Sequence, residues 1–146
     1  MLCLSRAVLR AASAAIILLT FGCTESKVAQ CDRIIQTANR FVNQATQLTD
    51  NGQTNEPQAI LQAADAMDKA AEEMQALQIS DEPLEEYRNG FVNMYQDISK
   101  ATRAYVQAYE KKDRPGAEAA LSSLQRATQP EPELVKGVNE YCMGKK

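Results

Sequence analysis

The chain has no histidine and no tryptophan among its 146 residues, and only three phenylalanines. Without histidine there is no imidazole to act as a general base, to activate a serine or cysteine nucleophile, or to ligate a metal ion. The sequence therefore predicts no catalytic residue, no metal site and no cofactor. An enzyme would require carboxylates from different helices to converge in one cleft, and sequence spacing leaves that arrangement open.

Positive charge is also scarce. The chain has 16 lysines and arginines against 19 aspartates and glutamates, and its longest basic runs are two residues, as in Lys111-Lys112. The first 22 residues carry Arg6 and Arg10 and no acid, so the remainder holds 14 bases and 19 acids, a net charge of −5. Because the phosphates of nucleic acids require a basic face, we expect no nucleic-acid partner.

Strand signals are missing as well, since no Asn-Gly or Asp-Gly pair joins two β-branched segments and no run alternates in polarity. Apolar residues recur instead at three- and four-residue spacing, which is typical of amphipathic helices. The third such segment is the longest, about 29 residues. Its stripe consists of Leu84, Tyr87, Phe91, Met94, Ile98, Ala101, Tyr105 and Ala108.

The breaks between segments indicate the topology. Helices are predicted from about Ser26 to Leu48, from Pro57 to about Gln78, and after Ser80-Asp81-Glu82-Pro83. The fourth, Pro115–Thr128, matches the third in length only when the piece after Pro132 is added. Because short loops place neighbouring helices antiparallel, we predict an all-α, up-down-up-down four-helix bundle whose fourth layer is broken at Pro130–Pro132.

The N-terminal segment is typical of an export leader. After Arg6 and Arg10, Ala11–Phe21 is an apolar run of eleven residues, too short for a membrane span of about 20. Gly22-Cys23 follows, and Leu18–Cys23 resembles the signal of bacterial lipoproteins, in which the cysteine receives a diacylglycerol and the new N-terminus is acylated. The expected organisation is a removed leader (1–22), a lipid-anchored tether (23–27), the bundle (28–142) and a tail (143–146).

Two alternatives stay open for this segment. Leu19 lies four residues before Cys23 rather than three, and Phe21 is bulkier than usual in such signals. Thr20-Phe21-Gly22 also fits ordinary signal peptidase, which would release a soluble secreted protein. The segment could otherwise remain as an uncleaved anchor. Lipidation predicts a protein held on a membrane in the periplasm, the thylakoid lumen or at the cell surface.

Four cysteines are present, and two have roles in export. Cys3 leaves with the leader and Cys23 takes the lipid, so Cys31 and Cys142 remain as a pair in an oxidising compartment, where a disulfide is expected. It would close a loop of about 110 residues and contribute up to about 4–5 kcal/mol in the chain-entropy model. The alternative is that both are small apolar core residues.

A second stripe on the third helix is a candidate interface. Val92, Tyr95, Val106 and Tyr109 widen its apolar face beyond one seam. Tyrosine-rich apolar surfaces are typical of protein interfaces, so this strip could bind a partner. The structural alternative is that the third helix is simply the most buried one.

At family level, the mature chain resembles small helical lipoproteins of cyanobacteria, through VAQCDRIIQTAN at Val28–Asn39 and the late Cys142. This resemblance implies a helical fold and no assigned activity. Our leading hypothesis is a non-enzymatic, lipid-anchored scaffold or accessory subunit that binds a protein at the membrane surface. The alternative is a carrier of a small apolar ligand, which predicts a cavity lined by methionine and alanine.

Overall fold

The computed structural model describes residues 25–144, which form five α-helices and no strand. These are α1 (Lys27–Leu48), α2 (Pro57–Ala76), α3 (Glu82–Glu110), α4 (Arg114–Thr128) and α5 (Glu131–Cys142). The all-α prediction is confirmed, and the predicted helix ends agree with the observed ones to within about two residues. No helix in residues 25–144 combines the length and apolar character that crossing a membrane requires.

Short polar side chains begin three of the helices. Ser26, Asp81 and Asp113 each accept a hydrogen bond from the backbone N–H three residues later, which satisfies one of the free donors of α1, α3 and α4. Pro57 occupies the first position of α2, where its missing N–H costs nothing. After α1, residues 50–52 all have positive φ angles, which reverses the chain toward α2.

The fourth layer bends without reversing. Gln129 and Pro130, between α4 and α5, have φ and ψ angles in the right-handed helical region, at −56° and −37° and at −69° and −20°. The two helices therefore continue in the same general direction, and both pack against α3. This confirms the prediction of one layer broken at the prolines, whose rings interrupt the helical hydrogen bonds.

Two glycines allow α5 to approach α3 closely. A Cβ atom built on Gly90 of α3 would lie 2.5 Å from Cδ2 of Leu134, and one on Gly137 of α5 would lie 2.6 Å from Cε1 of Tyr87. Each helix thus inserts a large side chain over a glycine of the other. Gly90 carries a cost in helix propensity of about 1 kcal/mol relative to alanine, and the packing of Leu134 over it accounts for its presence.

The core lies between α1, α2, α3 and α5. Its largest fully buried apolar side chains are those of Ile34, Phe41, Met74, Leu84, Phe91 and Tyr95. α3 is central because it packs against α2, α4 and α5, whereas α4 packs on α3 and makes almost no contact with α1. The bundle is therefore closed where α5 meets α1 and open where α4 diverges from α1.

Candidate functional site

The two cysteines predicted to pair lie at one end of the bundle. A disulfide joins Cys31, near the start of α1, to Cys142, the last residue of α5, with 5.9 Å between the Cα atoms. We call this end, with the α2–α3 loop beside it, the disulfide pole. Glu25, the first described residue, is also here. Cys23, the predicted lipidation site, lies outside the described residues.

Gln30 holds the α2–α3 loop at the disulfide pole. Its buried side chain accepts hydrogen bonds from the backbone N–H groups of Ser80 (2.7 Å) and Asp81 (3.2 Å). Its Nε2 donates to the carbonyl of Glu25 (3.1 Å) and to Oγ of Ser80 (3.2 Å). One amide therefore ties the entry of the chain to the start of α3, and its buried polar atoms are paired.

Tyr141 connects α5 to the same loop. Its hydroxyl donates to the carboxylate of Asp81, at 3.0 and 3.1 Å from the two oxygens, while Nζ of Lys27 stands 3.4 Å from the centre of its ring. Partial burial raises the pKa of Tyr141, and the hydrogen bond to Asp81 and that carboxylate's charge raise it further. The ring thus links the ends of α1 and α5 with the cap of α3.

Two arginines complete the attachment of the loop. Arg33 of α1 donates to the carbonyl of Gln78 and pairs with Glu25, and Arg88 of α3 donates to the carbonyl of Leu77 at 3.2 Å. These contacts satisfy carbonyls released at the end of α2. No sequence signal marks these contacts, since Gln30, Arg33 and Arg88 follow no pattern beyond the polar positions of an amphipathic helix.

The prediction of an exposed strip on the third helix is wrong for three of its four residues. Val92, Tyr95 and Val106 are buried, with at most 7% of their surface exposed, whereas Tyr109 is 56% exposed and its ring stacks near that of Tyr105. The physical reason is that α3 is packed by α2 on one side and by α4 and α5 on another. A second apolar stripe therefore meets a second set of neighbours inside this chain.

Tyr95 carries an unsatisfied hydroxyl. Its side chain is buried beside Phe91, and the hydroxyl has no hydrogen-bond partner among the described residues. Burial raises the pKa of Tyr95 above its ordinary value, and the negative charge of Glu131 raises it further. The group therefore stays neutral, and it opens onto none of the clefts described below.

Two pairs of adjacent acids, Glu72-Glu73 of α2 and Glu85-Glu86 of α3, lie on helix surfaces, and one acid of each pair forms ion pairs. Glu73 contacts Arg40 and Lys69, and Glu85 contacts Arg88, while Glu72 and Glu86 are exposed. Within residues 25–144 no three side chains of the types that ligate metals come together. These acids thus lie on the solvated faces of α2 and α3.

A charged contact joins α2 to α3 near mid-bundle. Arg103 donates to Asp65 and to Asp68, each at 2.6 Å. Although burial alone would raise the pKa of Asp68, hydrogen bonds from Ser99 and Arg103 hold it below its ordinary value of 3.8. The two carboxylates raise the pKa of Arg103. These side chains fix the register of two neighbouring helices.

The divergence of α4 from α1 leaves an open cleft, which we call the α1–α4 cleft. Its volume is about 470 Å³. Met67 of α2 and Ile98 of α3 lie on its floor, Ala45 and Thr46 of α1 form one wall, and Leu124 of α4 forms the other. The remaining lining residues are Thr49, Asn51, Gly52, Ile60, Ala63 and Thr102.

The rim of the α1–α4 cleft is apolar too. Val42 lies three residues before Ala45, and Leu121 lies three before Leu124, so each shares a helix face with a lining residue. Val42 is 41% exposed and Leu121 is 48% exposed. Both belong to stripes that the sequence assigns to the core, and the separation of α1 from α4 leaves them in solvent.

Comparison with known proteins does not add an identity. No family model, no curated protein and no solved structure matches this chain. The two sites that the structure offers are therefore interpreted from their own chemistry: a covalently closed polar pole and an uncharged apolar cleft.

Proposed function

We propose that this chain is a non-enzymatic, lipid-anchored exported protein, in which the bundle binds a protein partner as a scaffold or accessory subunit at a membrane surface. The tether would be the lipid on Cys23. Membrane attachment by two or three acyl chains is strong because each buried methylene adds about 0.8 kcal/mol.

The observation that carries this proposal is the position of the chain entry. Glu25 is bound to the disulfide pole through Gln30 and Arg33. Only Thr24 separates Cys23 from Glu25, so their Cα atoms can be at most about 7 Å apart. A lipid on Cys23 would therefore hold the disulfide pole directly against the headgroups. Val28 and Met143, both exposed apolar side chains, are at this pole, where an interface with lipid would cover them.

The test begins with the mass of the mature protein recovered from membranes. A diacylglycerol and an acyl group on Cys23 are expected, and the Cys23→Ser variant should leave the membrane fraction. An unmodified Cys23, or a mature chain that begins at another residue, would contradict the anchor and favour the secreted form.

Co-purification after gentle solubilisation then tests the scaffold. Reproducible recovery with one complex, in amounts that fall for the Cys23→Ser variant, supports a membrane-bound accessory subunit. Recovery of the lipidated protein alone, from membranes that contain the intact complexes, speaks against it.

A second candidate function is that of a carrier for a small apolar ligand. The α1–α4 cleft favours it, because pockets for small molecules typically have volumes of about 300–1,000 Å³ and predominantly apolar walls. The carrier hypothesis predicts an internal cavity lined by methionine and alanine, and of these two conditions only the lining is matched, by Met67, Ala45 and Ala63. The site is an open cleft between helices rather than an enclosed cavity.

A further inference from the structure

We propose that the α1–α4 cleft binds an electrically neutral, largely apolar small molecule. This inference deepens the carrier function proposed above and does not depend on the lipid anchor. It rests on the charge, the size and the polar groups of the cleft.

The first support is the absence of charge. None of the eleven residues that line the α1–α4 cleft has an ionisable side chain. Two other clefts of comparable size differ in this respect: one is lined by Asp97, Lys100 and Arg126, and the other by acids and bases of residues 110–114. A charged ligand in the α1–α4 cleft would lose its hydration without gaining a counter-charge. A neutral ligand avoids this free-energy cost of desolvation.

The second support is the apolar surface that the cleft leaves uncovered. Its apolar lining consists of alanine, leucine and isoleucine side chains and of Met67, whose thioether can adapt to ligands of different shape. Val42 and Leu121 extend this surface to the rim. A volume of about 470 Å³ is enough for one small molecule with two rings or a short branched chain.

The third support is the nature of the few polar groups present. Thr46 and Thr49 donate their hydroxyl hydrogens to carbonyls of α1, at 2.7 and 2.9 Å, and Thr102 adds a third hydroxyl across the cleft. Asn51 adds a neutral amide to the lining. Neutral hydroxyls and an amide suit a ligand that carries one hydroxyl or carbonyl on an apolar body.

The proposal can be tested by photolabelling with benzophenone, a neutral ketone that inserts into C–H bonds on irradiation and prefers methionine. The exported protein is labelled in whichever fraction holds it, and the adducts are mapped by peptide mass spectrometry. We expect saturable labelling at Met67. The Cys23→Ser variant, which has no lipid to cover the disulfide pole, is labelled in parallel, and its exposed Met143 reports non-specific labelling.

Matched controls separate the cleft from general hydrophobicity. In Ala45→Phe the added ring fills the cleft. Labelling at Met67 should fall about tenfold, because the ring occupies the volume that the probe needs. Ala119→Phe adds the same ring at an exposed position of α4 outside the cleft and should label like the parent chain. Thr46→Phe blocks the cleft from an exposed position. It replaces Ala45→Phe if Ala45→Phe unfolds at a lower temperature than the parent chain.

Benzophenone-4-carboxylate tests the charge requirement, and we expect it to label Met67 about tenfold less than the neutral ketone. Equal labelling by the two probes, unchanged labelling in the blocked variants, or labelling that does not saturate would each overturn the proposal. Because the mass of the mature N-terminus is measured in the same sample, a failure of the lipid anchor is detected separately.

Discussion

At the scale of single residues, two tyrosines show what a hydroxyl removed from water requires. Tyr95 lies in the core with its hydroxyl unpaired among the described residues, whereas the hydroxyl of Tyr141 reaches the carboxylate of Asp81. An unsatisfied buried polar group costs about 1–3 kcal/mol, and a hydrogen bond to a charged group stabilises by about the same amount. The two sites should therefore respond oppositely to the same chemical change.

We predict that Tyr95→Phe leaves the free energy of unfolding unchanged or raises it by up to about 1 kcal/mol, because it removes a polar atom that has no partner. Tyr141→Phe is the matched variant and should lower the free energy of unfolding, because its hydroxyl loses the hydrogen bond to the Asp81 carboxylate. Urea denaturation followed by circular dichroism measures both. A clear loss of stability in Tyr95→Phe would show that the hydroxyl has a partner in solution.

The carboxylate of Asp68 should make stability depend on pH. Its pKa is lower in the folded chain than its ordinary value of 3.8, so the unfolded chain binds more protons in the window between the two values. The contribution of Asp68 is therefore complete above pH 3.8 and is lost as the pH falls through the folded pKa.

Asp68→Asn should lower the free energy of unfolding at pH 7 by at most about 1 kcal/mol, because both members of the pair with Arg103 are partly exposed and screened. The deficit should shrink as the pH is lowered below the ordinary carboxyl range. Asp32→Asn, at an exposed position of α1, serves as the control and should change the free energy of unfolding at pH 7 by no more than a few tenths of a kcal/mol. If the loss of unfolding free energy in Asp68→Asn stays constant down to acid pH, protonation of Asp68 is not linked to stability.

At the scale of elements, attachment of the α2–α3 loop depends on one amide of α1. Gln30 binds two backbone N–H groups at the start of α3 and is itself buried. Helical periodicity predicts α1, α2 and α3 separately, but it carries no information about which side chain of one helix satisfies the end of another.

Gln30→Leu keeps the approximate size of the side chain and removes its hydrogen bonds. We expect it to lower the free energy of unfolding by about 1–3 kcal/mol, because the N–H groups of Ser80 and Asp81 lose their partner. Hydrogen exchange should accelerate first at those two amides. Gln44→Leu, on an exposed face of α1, should change neither quantity beyond a few tenths of a kcal/mol. Equal behaviour of the two variants would contradict the role assigned to Gln30.

At the scale of the whole molecule, the disulfide pole and the α1–α4 cleft lie toward opposite ends of the bundle. The disulfide, Gln30 and Tyr141 join α1, α3 and α5 at the disulfide pole. Toward the other end α4 leaves α1, and no covalent link holds them together within the described residues. The covalently linked end is the one nearest the predicted lipid, and the open cleft lies toward the other end.

The disulfide closes 111 residues of chain. Reduction should lower the free energy of unfolding by up to about 4 kcal/mol, since the unfolded chain regains the entropy of the open loop. Urea denaturation with and without reductant measures the difference. The double variant Cys31→Ala, Cys142→Ala should already have the lower stability and should not respond to reductant. An equal response of this variant would attribute the effect to something other than the bond.

The sequence by itself determined the helices, their order and the break in the fourth layer, because apolar periodicity, caps and prolines act within a few residues of each other. It also predicted that Cys31 and Cys142 pair, since an even number of layers returns the chain to its starting end, and the disulfide in the structure agrees. Its lipid anchor at Cys23 remains a prediction.

Only the tertiary structure decided which apolar stripes are covered. Val92, Tyr95 and Val106 find neighbours inside the chain, whereas Val42 and Leu121 do not, although all five follow the same spacing. The difference arises from the path of α4, which packs on α3 and diverges from α1. Burial depends on the placement of distant segments, and the local pattern of each helix is equally compatible with a closed bundle and with an open cleft.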